Sequence, residues 1–212
     1  ITTTSVYPTD ERTVFGVFAH TDYQVDQFLF EIALRHDDVE NIDSESTYNL
    51  GLGYELNEDT TLAFSHSTGF KAPTFNDLYS PFGGNPDLVS ETSVTTELLV
   101  KHSLVTGRIG ASIYKTEVDN LIDWAQQLDG SWLPSNVAKA EISGIEFDSS
   151  LNIGDFQHNV SLAYIETEDQ ATGKQLIRRA KEHFNYRLST QISDADVNIE
   201  YVYKGDREDA YY

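Results

Sequence analysis

Apolar residues recur at every second position through most of the sequence, and this alternation limits the possible folds more than any other feature. A two-residue period places alternate side chains on opposite faces of a β-strand. No segment shows a 3.6-residue period with helix-capping residues at its ends. The pattern therefore predicts an all-β protein, with alternating stretches at 28–34, 48–56, 62–64, 94–100, 109–113, 145–147, 160–164, 184–188 and 197–203.

Short and long connections alternate between these stretches. Short polar turns are expected at 25–26, 57–59, 105–107, 153–155 and 193–196, and longer connections at 37–44, 71–90, 117–138 and 167–179. About eleven strands between Arg12 and Lys204 would run up and down an antiparallel sheet, with all the short turns at one end. This is the pattern of an up-and-down transmembrane β-barrel, of which the chain would form a part. A partial barrel leaves two unpaired strand edges, expected near 14–23 and 197–203.

The two faces of the predicted strands differ in character. One face is rich in Thr, Ser, Asn and Gly with charges of both signs, while the apolar face carries Tyr and Phe near strand ends, as in an aromatic girdle. We expect the following side chains to face lipid: Phe30, Ile32, Leu50, Leu52, Leu162 and Ile199. We expect these to face the barrel lumen: Glu31, Asn49, Glu97, Glu146 and Arg187. Alternation alone leaves a soluble β-sandwich open, because the signal per strand is weak.

The composition excludes several classes of protein. The 212 residues carry 14 Lys and Arg against 35 Asp and Glu, and the formal net charge of −21 has the wrong sign for binding nucleic acid. The chain has no Cys, which excludes disulfide scaffolds, thiol catalysis and Cys-ligated zinc. An apolar content of 39% argues against charged disorder. No run reaches the ~18 apolar residues of a membrane-spanning helix.

Four sequence elements carry a family resemblance. Residues 67–91 read STGFKAPTFNDLYSPFGGNPDLVSE, 118–124 read VDNLIDW, 136–146 read NVAKAEISGIE, and 176–181 read LIRRAK. In this order and spacing they closely resemble the strand-and-loop signatures of the TonB-dependent outer-membrane receptors. The short LY…GNP loop and the RRAK run are most similar to the members that transport cobalamin (vitamin B12), rather than to the siderophore receptors.

The resemblance implies a protein of the bacterial outer membrane that imports a large ligand without covalent chemistry and is therefore not an enzyme. Its partners would be cobalamin or a similar ligand, outer-membrane lipid, and TonB, which acts through an N-terminal plug; no nucleic acid is expected. We expect residues 1–212 to be part of the β-barrel domain, with the plug and the final strands absent. A siderophore or haem receptor of the same family is the alternative, and a soluble β-sandwich binding module is a third interpretation.

The resemblance also implies ligand-binding residues. These are the aromatic residue of the GNP loop, Phe82, the first Arg of the RRAK run, Arg178, and a Tyr of the following loop, Tyr211 or Tyr212. Aromatic faces would cover a flat corrinoid ring, and Arg178, expected at the external end of its strand, would donate to oxygens on the ring's edge. Further aromatics lie in or beside the long connections: Phe75, Tyr79, Trp124 and Trp132.

No catalytic residue, resident cofactor or metal site is expected in this chain. The acidic residues at 37–45 could bind Ca²⁺, but they lack a fixed ligand spacing, and a solvated loop is the preferred interpretation. The resemblance places calcium only in parts of the parent protein outside this chain. The six His residues show no helical metal-binding spacing. His66 between Ser65 and Ser67 is no nucleophile–base pair, because adjacent strand residues point to opposite faces.

Overall fold

The computed structural model describes residues 11–208 and contains one antiparallel sheet of ten strands, in which each strand pairs with its neighbours in sequence. This confirms the predicted up-and-down all-β fold, with ten strands where about eleven were expected. The elements are β1 Val14–Val25, β2 Phe28–Val39, β3 Glu45–Asn57, β4 Thr60–Lys71, α1 Phe75–Tyr79, β5 Glu91–Leu104, β6 Gly107–Gln126, β7 Trp132–Ile153, β8 Phe156–Asp169, β9 Glu182–Ile192 and β10 Ala195–Lys204.

All the tight turns lie at one end of the sheet, which we call the short-turn end. The connections at the other end, which we call the long-loop end, are residues 40–44, 72–90, 127–131 and 170–181. The predicted alternation of short and long connections is confirmed. It follows that the residues of the long connections lie together at one rim of the sheet, far from the hairpin turns.

The predicted long connection at 117–138 is wrong, because most of it is strand. β6 runs to Gln126 and β7 begins at Trp132, so these strands of 20 and 22 residues leave only 127–131 between them. Their pairing is irregular between Val118 and Ile122, where Asn120 has a φ of 58°. An extra residue in one strand interrupts the two-residue period. The interruption made this stretch resemble a loop.

Four of the five hairpins at the short-turn end have a residue with positive φ in or next to the turn, and the 58–59 turn has none. Asp26, Gly154 and Ser193 have φ values of 50°, 60° and 55°. Positive φ is favoured in tight hairpin turns, because it lets the twist of the turn match that of the strands. Gly107 has a φ of 153°, and a Cβ there would overlap the carbonyl oxygen of Ser150 on β7. Only glycine can begin β6 at this position.

The division of side chains between two faces is as predicted. Directly paired positions form a continuous apolar row across strands β2 to β7: Phe30, Leu52, Phe64, Leu98, Ile113 and Ile145. Ile32 pairs with Leu50 in a parallel row on the same face. On the opposite face the Asn49 amide donates to Glu31 at 2.7 Å, and Arg187 lies 3.0 Å from Glu200.

Protein covers little of the apolar face. Leu52 is 42% exposed and Ile199 is 59% exposed. The buried apolar residues, by contrast, lie towards the long-loop end: Val39, Pro73, Leu78, Leu88, Pro134 and Ala140. The apolar face of the sheet therefore needs an apolar environment to cover it, because unpartnered apolar area on this scale is unfavourable in water.

The two ends of the strand order confirm the predicted edges. Within residues 11–208, β1 pairs only with β2 and β10 only with β9, so each leaves one side of its backbone unpaired. No helix in this part of the chain is both long enough and apolar enough to cross a membrane.

Candidate functional site

The 72–90 connection at the long-loop end has a defined conformation that begins with helix α1. Thr74 caps the helix: its hydroxyl accepts a hydrogen bond from the Asp77 amide at 3.2 Å, and the Asp77 carboxylate accepts one from the Thr74 amide at 2.9 Å. This reciprocal capping satisfies two amides that the first turn would otherwise leave free. Leu78, on the inner side of the helix, is 3% exposed. The helix therefore fixes the start of the connection.

The glycines that follow allow the chain to fold back tightly on α1. Gly83 has a φ of 128°, which favours glycine. A Cβ on Gly84 would lie 2.5 Å from the carbonyl oxygen of Leu78, so a side chain does not fit there. The next amide, that of Asn85, donates to the carbonyl of Asp77 at 2.8 Å.

Two asparagines fasten the connection to β7. The Asn85 side chain donates to the carbonyl of Pro134 at 3.0 Å. The Asn136 side chain accepts from the Val89 amide and donates to the Val89 carbonyl, both at 3.0 Å, and also donates to the carbonyl of Asn120 at 2.7 Å. Asn136 thus joins the connection to the bulge in β6 as well as to β7.

A buried carboxylate at the start of β5 also helps to attach the 72–90 connection to the sheet. Glu91 is 8% exposed, and its Oε1 accepts hydrogen bonds from Lys71 Nζ at 3.1 Å and from the Ile122 amide at 3.0 Å. The ion pair offsets the cost of burying the charge. We call residues 72–91, together with the side chain of Asn136, the loop clamp. The GNP and NVAKA signature residues therefore hold the loop in place.

The loop clamp presents one of the predicted ligand-binding residues beside two tryptophans. Phe82 is 86% exposed. A Cβ on the adjacent Gly83 would lie 3.5 Å from the Trp132 carbonyl and 4.0 Å from the Trp124 ring. Trp124 and Trp132 are themselves 42% and 57% exposed. We call Phe82, Trp124 and Trp132 the aromatic rim. From the sequence, both tryptophans were expected in or beside long connections, but neither was expected to be a ligand-binding residue.

Arg178 lies in the 170–181 connection, four residues before β9, rather than at the end of the strand where it was expected. It is exposed, its φ is 59°, and its backbone amide donates to the carbonyl of Glu208 at 2.7 Å. The same connection contacts β7 through the Gln170 amide, which donates to the Lys139 carbonyl at 2.8 Å. Tyr211 and Tyr212 lie outside the described residues.

Both loops that carry predicted ligand contacts therefore contact the same strand. The 72–90 connection bonds to Pro134 and Asn136, and the 170–181 connection bonds to Lys139. Asn136 and Lys139 are only three residues apart along β7, or ~10 Å. The aromatic rim and the loop of Arg178 thus flank one segment of β7, within the span of a large flat ligand.

Charge is distributed unequally among the four long connections. Residues 40–44, 72–90 and 127–131 carry acidic residues and no Lys or Arg, whereas 170–181 carries Lys174, Arg178, Arg179 and Lys181 and no acid. Hydrogen bonds from Ser131 lower the pKa of Asp129, which therefore stays ionised at neutral pH. The aromatic rim is thus bordered by negative charge, and the loop cations lie on the other side of β7.

Two of the acidic residues at 37–45 have partners within the protein. Arg35 Nη2 lies 2.6 Å from Asp37 Oδ1, and Glu40 accepts a hydrogen bond from the Thr13 amide at 2.8 Å, which lowers the pKa of Glu40. Within residues 11–208, the only group of three or more residues with the spacing of metal ligands is His20, Asp22 and Glu31 on the β1–β2 hairpin.

Comparison with known proteins identifies the family. The whole chain, residues 1–212, matches the family model described as TonB dependent receptor-like, beta-barrel. It is 35% identical over 205 residues to the vitamin B12 transporter BtuB of Photobacterium profundum, covering 94% of this chain and 34% of that protein. It is 39% identical over 182 residues to the vitamin B12 transporter BtuB of Vibrio vulnificus strain YJ016, covering 85% and 30%. The chain thus spans about a third of the length of these relatives.

A solved structure agrees at the level of the fold. The sheet superposes on a mutant of the ferric enterobactin receptor PfeA of Pseudomonas aeruginosa, solved with enterobactin, with a TM-score of 0.75. The two are 22% identical, and the match covers 92% of this chain and 33% of that one. At this identity the likeness shows the fold alone.

Membership of the family identifies what each face and each end of the sheet contacts. In an outer-membrane barrel the apolar face contacts lipid, the polar face lines the lumen, and the long loops are external. The row from Phe30 to Ile145 is then the lipid face, and the long-loop end is the external rim. The members of the family are receptors and not enzymes, in agreement with the sequence-based expectation. The chain belongs to the TonB-dependent receptors, as part of a β-barrel in the bacterial outer membrane.

Proposed function

We propose that the parent protein captures cobalamin at the external rim and imports it with energy derived from TonB. The names of the relatives at 35% and 39% identity support this ligand. In this proposal residues 1–212 form part of the barrel domain, and the plug on which TonB acts lies elsewhere in the parent. No covalent chemistry is involved, since capture and release of the ligand are sufficient for transport.

The observation that carries the proposal is the fixed aromatic rim. The hydrogen bonds of Asn85 and Asn136 hold the loop clamp, so Phe82 is presented beside Trp124 and Trp132 without a large ordering cost. Preorganised, exposed aromatic faces suit a broad, flat ligand, because they provide contact area with few rotatable bonds. A corrinoid ring has such faces.

The distribution of charge agrees with the same ligand. A corrinoid presents neutral amide arms and one phosphodiester at its edge. The amides would tolerate the acidic surroundings of the aromatic rim, and Arg178 in the basic 170–181 connection could donate to the phosphodiester or to amide oxygens. A strongly anionic ferric chelate would be repelled from the rim side of β7.

The test is cyanocobalamin binding to the full-length receptor in detergent, measured by calorimetry. Phe82→Ala and Trp132→Ala should each weaken binding about tenfold, or ~1.4 kcal/mol, because each removes an aromatic face. Phe156→Ala is the matched control: Phe156 is also partly exposed, at 44%, but lies at the short-turn end. Binding of a ferric siderophore or haem in place of cyanocobalamin would assign the parent to the alternative ligand class.

A further inference from the structure

Three side chains with metal-binding atoms converge on the β1–β2 hairpin, away from the external rim. His20 and Asp22 are two residues apart on β1 and share a face, and Glu31 on β2 is paired directly with Asp22. His20 Nε2 lies 3.2 Å from Asp22 Oδ1 and 3.8 Å from Glu31 Oε1. One ligand atom from each residue lies within 4.8 Å of the other two.

This spacing is close to that of ligands around one small cation. In a tetrahedral site with bonds of ~2.0–2.1 Å, the ligand atoms are ~3.3–3.4 Å apart. The two His20 distances lie on either side of this value, and the Asp22 and Glu31 ligand atoms are within 4.8 Å of each other, so side-chain adjustments would bring all three atoms onto one ion. Paired residues on the two strands set the spacing, and it depends on no flexible loop.

The hairpin holds two negative charges opposite each other. Directly paired like charges destabilise a sheet. Among the ion pairs within residues 11–208, neither Asp22 nor Glu31 has a Lys or Arg partner. The nearby cation on β2, Arg35, is held by Asp37 at 2.6 Å. A bound divalent cation would offset the repulsion between the two carboxylates.

A neighbouring amide orients one of the carboxylates. The Asn49 side chain on β3 donates to Glu31 Oε1 at 2.7 Å. Hydrogen bonds of this kind fix the orientation of metal-ligating groups and raise affinity. Within this part of the barrel the side chains of His20, Asp22 and Glu31 are 44%, 71% and 45% exposed.

We propose that His20, Asp22 and Glu31 form a site for a divalent transition-metal ion on the lumenal wall of the barrel. One imidazole and two carboxylates favour Zn²⁺ or a similar ion over Ca²⁺ and Mg²⁺, which prefer oxygen ligands alone. Three protein ligands leave at least one position open.

The experiment uses the full-length receptor in detergent, stripped of metal with a chelator and titrated with ZnCl₂ by calorimetry. We expect one site that His20→Ala and Glu31→Gln weaken roughly 100-fold or more, and that Asn49→Ala weakens ~10–100-fold. His158→Ala is the matched control, because His158 is bonded to Tyr186 at 2.8 Å and has no carboxylate partner among the described residues. That variant should bind as the parent does.

Two results would overturn the proposal: no Zn²⁺ binding up to about 1 mM, or a site of the same affinity in the His20→Ala and unmodified receptors. Circular dichroism establishes whether each variant is folded. If His20→Ala does not fold, the nearly isosteric Asp22→Asn gives the same test, because it removes the charged ligand and keeps the shape. Cobalamin binding is a separate measurement, so disproof of the metal site would not disprove the proposed function.

Discussion

The sheet and the loop clamp are two regions of one chain that are stabilised in different ways. In the sheet, apolar side chains such as Leu52 and Ile145 remain 42% and 54% exposed, so its stability comes from backbone pairing and from lipid. In the loop clamp, Leu78 and Leu88 are buried at 3% and 6% exposure, and the Asn136 side chain makes three hydrogen bonds. Lipid covers the sheet, whereas protein atoms cover the loop clamp.

This difference determines how specific the sequence must be in each region. A lipid-facing position requires only an apolar residue, because the surrounding lipid is fluid and adapts to shape. Gly84, Glu91 and Asn136 each occupy a position where a defined contact requires that residue. The sheet therefore tolerates exchange among apolar residues, while the loop clamp is sensitive to single polar substitutions.

The largest expected effect tests whether the sheet depends on its surroundings. A protein consisting of these 212 residues alone should aggregate or self-associate in water, because β1 and β10 each expose an unpaired edge and the lipid face is uncovered. Light scattering without detergent measures this. A monodisperse monomer would contradict the prediction, and would mean that the apolar face does not need lipid.

The second prediction compares the lipid face and the lumenal face of the sheet at the same depth in the membrane. Leu52→Arg in the full-length receptor should cost ~2–4 kcal/mol of stability if the position lies near the bilayer midplane, because the charge enters lipid. Ser65→Arg is the matched control: Ser65 pairs with Gly51, the residue before Leu52, on the lumenal face. A folding titration into lipid vesicles should show little loss for that variant. Equal losses of stability in the Leu52→Arg and Ser65→Arg variants would mean that the two faces do not differ in their surroundings.

How far the sequence predicts the structure also differs between the two regions. Alternation located nine of the ten strands, all but β1, since a two-residue period is visible in one sequence. It failed between 117 and 138, where the bulge at Asn120 interrupts the period and Pro134 lies inside a strand. The signature residues were recognised, but their role depends on contacts such as Val89 with Asn136, 47 positions apart. No local pattern contains that information.

The candidate sites show the same limit. Phe82 and Arg178 came from family resemblance, and only the structure shows that their loops contact the same strand. The proposed metal-binding group was not expected from the sequence, because its members belong to two strands and have no recognised ligand spacing. The turn at 26–27 contains a usable signal, however: in a two-residue hairpin, positions equidistant from the turn are paired, which places Asp22 opposite Glu31.

The third prediction tests the loop clamp directly. Asn136→Ala removes three hydrogen bonds that contribute ~0.5–1.5 kcal/mol each, so opening of the 72–90 connection should become easier by about 2 kcal/mol. Hydrogen exchange at the Val89 amide measures this opening. Asn152→Ala, at the opposite end of β7, is the control and should leave that amide protected. Unchanged exchange in Asn136→Ala would mean that the buried core alone holds the loop.

The smallest expected effect concerns Arg178, where the external loops meet the proposed ligand. Arg178→Ala in the full-length receptor should weaken cyanocobalamin binding by about 1 kcal/mol, because an exposed charge-assisted bond contributes less than a buried one. The variant keeps the backbone bond from Arg178 to Glu208, and its melting temperature is measured alongside binding. Arg179→Ala provides a control in the same loop with the same loss of charge.

Normal binding together with a lower melting temperature would show that the Arg178 side chain stabilises the loop and does not contact the ligand. Equal losses in both variants would instead indicate a general attraction between the basic connection and the ligand, with no specific contact.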